Sequence, residues 1–137
     1  MNNKHVLQII AGFLALFSFL SGWVITENIS VVFSPSNFLS NPNHYVPLKI
    51  IFLGLPIAGI YNIYCGFTKK SSPLANWGNV VICVYLLIAV KGAVAKSDLL
   101  YSVTLGYYMC LLSLIATGIN IFTLKRQISG GQKNHTA

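Results

Sequence analysis

Residues 48–67 read LKIIFLGLPIAGIYNIYCGF. After Lys49 no charged side chain interrupts the run until Lys69. About 20 helical residues at ~1.5 Å rise cross a hydrocarbon core of ~30 Å, so an apolar block of this length reads as a membrane span. Three more blocks flank it, at about 6–26, 77–95 and 99–124. A lone segment in lipid has to satisfy its own backbone hydrogen bonds, and none of these blocks shows the alternation of barrel strands. Helix is therefore the expected conformation of each, and the expected fold class is an all-α, four-helix transmembrane bundle.

Composition leads to the same class. The chain has 137 residues, 55% hydrophobic and only 8% charged, against about 25% charged in a typical soluble domain. Nine basic and two acidic side chains cannot cover a water-soluble surface of this size. The net charge of +7 lacks the dense basic patch of a nucleic-acid binder, so no nucleic-acid partner is expected.

The charges give an orientation. Lys4, Lys69, Lys70, Lys125, Arg126 and Lys133 fall on one side, with no acid among them. The other side holds Lys49, Lys91, Lys96, Glu27 and Asp98. The positive-inside rule makes the first side cytoplasmic, with both termini in the cytoplasm. The expected location is the plasma membrane, the inner membrane of a bacterial cell. The first block also resembles a secretory signal peptide, but it is long for one and no A-x-A-like site precedes Trp23. It is expected to stay as a span.

Between the blocks, 27–47 forms the one sizeable exterior loop, with turns expected at Pro35 and Pro42 and with Phe33, Phe38 and Leu39 lying on the membrane or the bundle end. Asn76 is an expected N-cap for the third helix, and Ser97 and Asp98 for the fourth. Trp23, Tyr45, Trp77 and Tyr101 stand at block ends, where amphipathic rings favour the headgroup layer. The tail 127–137 is polar and expected to be disordered.

Polar and small residues inside the blocks are the candidate functional positions. Gly106, Cys110, Ser113, Thr117 and Asn120 recur at spacings of four, three, four and three, which places them on one helix face. Such a face reads as a packing seam, or alternatively as the lining of a polar pathway. Ala11, Ala15, Ser18 and Gly22 form a similar seam, as do Gly54, Ala58, Asn62 and Gly66. Asn62 and Asn120 are an amide pair at one depth, each about five residues from the cytoplasmic end of its block. Pro56 removes a backbone hydrogen bond mid-helix, so a kink is expected there.

At the exterior rim, Glu27, Lys49, Lys91, Lys96 and Asp98 form a charge cluster. It reads as solvated and paired charges, with Lys91 reaching Glu27 or Asp98, or alternatively as a site for an anionic headgroup or small anion.

No arrangement of nucleophile and base points to catalysis. His5, His44 and His135 lie in terminal or loop segments, and Cys65, Cys83 and Cys110 lack metal-binding spacing. No catalytic, metal or cofactor site is expected. The sequence therefore reads as a small, non-enzymatic accessory subunit or interaction partner of a membrane complex. Its expected contacts are the bilayer and a protein partner or second copy of itself. The alternative is a small transporter or channel subunit with a polar pathway along the fourth helix.

Overall fold

The computed structural model describes residues 3–26, 32–40, 42, 46–70, 72–95 and 101–132. In chain order these form α1 (Asn3–Leu20), β1 (Val24–Thr26), β2 (Val32–Phe33), α2 (Pro35–Ser40), α3 (Val46–Phe67), α4 (Pro73–Ala95), β3 (Tyr101–Val103) and α5 (Leu105–Gln132). The chain is mostly helical. The helices α3, α4 and α5 are long and apolar enough to cross a membrane, and α1 is apolar over the shorter stretch His5–Leu20.

Four helices make the body. α1 packs on α3 and α5, and α4 packs on the same two from the opposite side. Every neighbouring pair is antiparallel. Along α1 and α3, Gly12 meets Gly59 while Gly66 meets Ile9. Along α1 and α5, Ser18 meets Gly106 while Ala11 meets Ser113. The outward faces remain apolar: Ile57 is 64% exposed, Ile88 67% and Phe122 78%. Large apolar side chains at that exposure, repeated around long helices, are the surface of a protein whose solvent is lipid.

Helix limits follow from local chemistry. Pro73 opens α4, where its missing N–H costs little, and Ser72 caps it by accepting a hydrogen bond from the Ala75 N–H at 3.3 Å. Asn76, expected as the cap, instead lies one turn inside and is buried. α3 ends with Lys69 at φ 55°, with Lys70 N–H donating to the Cys65 carbonyl and Lys69 N–H to the Gly66 carbonyl. That pair of bonds is a left-handed helix stop, made here by a lysine in the position glycine favours. The helix runs unbroken through Pro56.

One end of the bundle carries a cap that the block boundaries did not foresee. The first helix ends at Leu20 and not at Thr26, because Val24–Thr26 pairs as a strand with Val32–Phe33 on one edge and Tyr101–Val103 on the other. The fourth helix accordingly begins at Leu105, not at 99. Residues 24–26 and 101–103 are rich in β-branched and aromatic side chains, which suit a pleated pair as well as a helix. Pro35 opens the short α2 in place of a turn, with Ser34 accepting from the Asn37 N–H at 3.2 Å, while Pro42 does lie in a turn. Phe33 and Phe38 pack on Phe52 of α3, and Trp23 lies edge-on to Phe52 and Tyr107. Trp23 is thus wholly buried, not an interfacial ring.

At the other end of the chain, α5 continues to Gln132, through the first part of the stretch expected to be disordered. Lys125, Arg126 and Gln127 are good helix formers and extend the last apolar turn. Residues 133–137 lie outside the described residues.

Candidate functional site: a buried amide layer

The polar side chains of the bundle interior are concentrated at the end opposite the cap. Asn62, Asn76, Asn79, Ser113, Thr117 and Asn120 are all buried, and α1 brings His5 and Gln8 to the same end. Four helices thus contribute to one polar layer, and none of its amides carries a charge.

Most of the layer's bonds cross between helices. The Asn79 Nδ2 on α4 donates to the Ser113 Oγ at 3.0 Å and the Thr117 Oγ1 at 2.7 Å, both on α5. The Ser113 hydroxyl donates to the Ala11 carbonyl of α1 at 2.8 Å, and Thr117 Oγ1 donates to the Ser113 carbonyl one turn earlier. The Asn120 Nδ2 donates to the Asn76 Oδ1 at 3.2 Å. The Asn62 Nδ2 donates to its own helix at the Ala58 carbonyl, 2.9 Å, and across to the Ala75 carbonyl of α4, 3.2 Å. Asn62 and Asn120 share a depth as expected, but they do not bond to each other. Each bonds to α4, at the consecutive residues Ala75 and Asn76.

Among the described residues, the buried Gln8 Nε2, Asn62 Oδ1 and Asn120 Oδ1 of the layer find no hydrogen-bond partner. A buried polar atom left so costs about 1–3 kcal/mol, and several in one layer call for an explanation.

The α5 stripe lies inside the bundle along its whole length. Gly106 sits so close to the end of α1 that a Cβ there would lie 2.5 Å from Trp23 Cδ1 and 2.7 Å from the Gly22 carbonyl oxygen. Its carbonyl accepts from the Ser18 Oγ at 2.7 Å. Cys110 is buried in the same core cluster as Cys83, and the Cys83 thiol donates to Asn79 Oδ1 at 3.6 Å. The α1 seam is also used: Ala11, Ala15 and Ser18 are buried, and a Cβ on Gly12 would lie 2.5 Å from the Gly59 carbonyl oxygen. On α3, Gly54 faces Ile82 of α4, whereas Gly66 faces α1.

No family model, curated protein or solved structure matches the chain. Its site is therefore read from geometry alone.

The charge cluster expected at the exterior rim lies only partly among the described residues. Glu27, Lys96 and Asp98 lie outside the described residues, Lys49 is half-buried on α3, and Lys91 is exposed on α4. Among the described residues no three His, Cys, Asp or Glu side chains come together as a metal-ligating group.

Sequence reasoning missed four members of the layer. Asn76 was assigned to a cap, and His5 and Gln8 lay at the edge of a block. Asn79 was legible: with Asn76 and Cys83 it stands three and four residues apart on one face of the third block. Polar residues at that spacing in an apolar helix mark an interior face.

Proposed function

We propose that this chain is a four-span, non-enzymatic membrane protein that serves as an accessory subunit or interaction partner of a larger membrane complex. The fourth span is α1. At 18 residues it reaches ~27 Å at about 1.5 Å per residue, and it lies antiparallel to α3 at the same depth. A bilayer crossed by α3 is crossed by α1 as well. Counting of basic residues supports placing both termini, and the amide end, in the cytoplasm of a cell whose plasma membrane holds the bundle.

The observation that carries the reading is the fate of the α5 stripe. Gly106, Cys110, Ser113, Thr117 and Asn120 are each spent on contacts with α1 or α4, and each is at most 1% exposed where a value is given. A transport pathway needs polar groups that remain available to a passing solute, whereas a packing seam does not. Residues 32–40 pack onto the bundle end through Phe33 and Phe38, and Asn37, Ser40 and Pro42 are exposed. That face and the rim lysines offer a polar platform to a partner.

The alternative, a small transporter or channel subunit, draws on the unpartnered amides and on Pro56, whose ring takes one hydrogen bond out of α3. Affinity purification in mild detergent separates the two. The accessory reading expects the chain to elute in stoichiometric association with a larger membrane protein. A chain that elutes alone and passes a solute in liposomes would overturn it.

A further inference from the structure

We infer that the amide layer is a hydration site, holding ordered water bound jointly by Gln8, Asn62 and Asn120 of three different helices. The three residues stand within about one helical turn of each other in depth. Asn62 and Asn120 donate to Ala75 and Asn76, which are adjacent in α4. Gln8 is one turn from Gly12, which packs on Gly59 and Ile63, and one turn from Ala11, whose carbonyl accepts from the Ser113 hydroxyl. In the antiparallel arrangement Gln8 stands beside Ile9, which packs on Gly66, so it lies about one turn from Asn62 on one side and about one turn from Asn120 on the other.

The chemistry of the unpartnered atoms selects the guest. Asn62 and Asn120 each commit the amide nitrogen to α4, which fixes their orientation and leaves a carbonyl oxygen as an acceptor. Gln8 presents an N–H donor. The layer therefore asks for two donated protons and offers one. A cation would be repelled by the Gln8 N–H dipole and an anion by two carbonyl oxygens, and neither would find a countercharge among these neutral amides. Water supplies two protons and accepts at its lone pairs, and internal waters typically make about three such bonds. The same site gives a partner to polar atoms of residues that are only 3%, 0% and 1% exposed. It also separates the layer from an ion pathway: the water is held, not passed.

The test is solid-state NMR of the full chain in lipid bilayers, reading magnetisation transfer from water to side-chain amide protons. Gln8, Asn62 and Asn120 should each show transfer from long-lived water, while the Trp23 indole proton, which donates to the Ser18 carbonyl at 2.7 Å, should show none. In Asn62→Leu the transfer to Gln8 and Asn120 should fall at least several-fold with the Trp23 signal unmoved. Should that variant not fold, Gln8→Leu reads the same loss at Asn62 and Asn120. Amide signals that are resolved but receive no water magnetisation would overturn the site. So would transfer confined to one of the three, or a saturable shift of these amides on titration with potassium, sodium or chloride.

Discussion

The two ends of this bundle solve the same problem in opposite ways. At the capped end the described polar groups bond to one another. Trp23 Nε1 donates to the Ser18 carbonyl, Thr104 Oγ1 to the Gly22 carbonyl at 2.6 Å, and the backbone N–H of Trp23 to Phe33. Aromatic rings fill the space between. At the amide end, Gln8, Asn62 and Asn120 each bury a polar atom that finds no partner among the described residues. Among the described residues the first end is closed by its own bonds and rings, while the hydration proposed for the second would complete it with water. The difference teaches where each end draws its order: shape-matched packing at the cap, directional bonds at the layer.

That contrast can be broken from the capped side first. Trp23→Ala removes a wholly buried ring that touches Phe52 and Tyr107, and buried Trp-to-Ala changes cost about 3–5 kcal/mol. Thermal unfolding in detergent, followed by circular dichroism, should show the largest drop in Tm of any single substitution discussed here. An unchanged Tm would mean the cap does not hold the bundle.

Gly106→Leu follows. Its side chain would have to occupy space already held by Trp23 and the Gly22 carbonyl, and overpacking of this kind costs about 1–3 kcal/mol. Leu112→Phe, on the exposed face of the same helix, should leave Tm within error. Equal effects at the two positions would erase the distinction between seam and lipid face.

On the amide side, Asn79→Ala takes two donated bonds from Ser113 and Thr117, at about 1 kcal/mol net each in water and less between membrane helices. The expected loss is smaller than at Trp23, and chemical-shift changes should concentrate at Ser113 and Thr117. A larger loss than Trp23→Ala would invert the comparison.

The smallest effect has the opposite sign. Lys69 holds a left-handed conformation that costs an L-residue about 1 kcal/mol. Lys69→Gly should therefore raise Tm slightly without altering the rest of the spectrum.

How much of this was legible beforehand divides along the same line. The long blocks gave the helices because lipid leaves an apolar segment little else to be. The α5 stripe was legible from its spacing alone, since five small or polar residues on one face of an apolar helix have to meet another helix. The cap was not. Val24–Thr26 continues the apolar run of α1, Tyr101–Val103 directly precedes that of α5, and only tertiary pairing makes them strands. Within the layer, the depth of Asn62 and Asn120 was legible but their partners were not. Which atom an amide meets depends on the rotation of α4, and no single helix encodes that.

The account rests most heavily on the α5 stripe being a packed seam. The direct measurement is cysteine accessibility in native membranes, on a chain whose own Cys65, Cys83 and Cys110 are replaced by Ala. Ser40→Cys, in the cap, should react with a membrane-impermeant thiol reagent added from outside, and Ser71→Cys only after permeabilisation. Ser113→Cys and Thr117→Cys should stay unmodified from either side. Reaction at 113 and 117, graded with depth and blocked by a solute, would show a water-filled pathway along α5 and contradict the packed bundle.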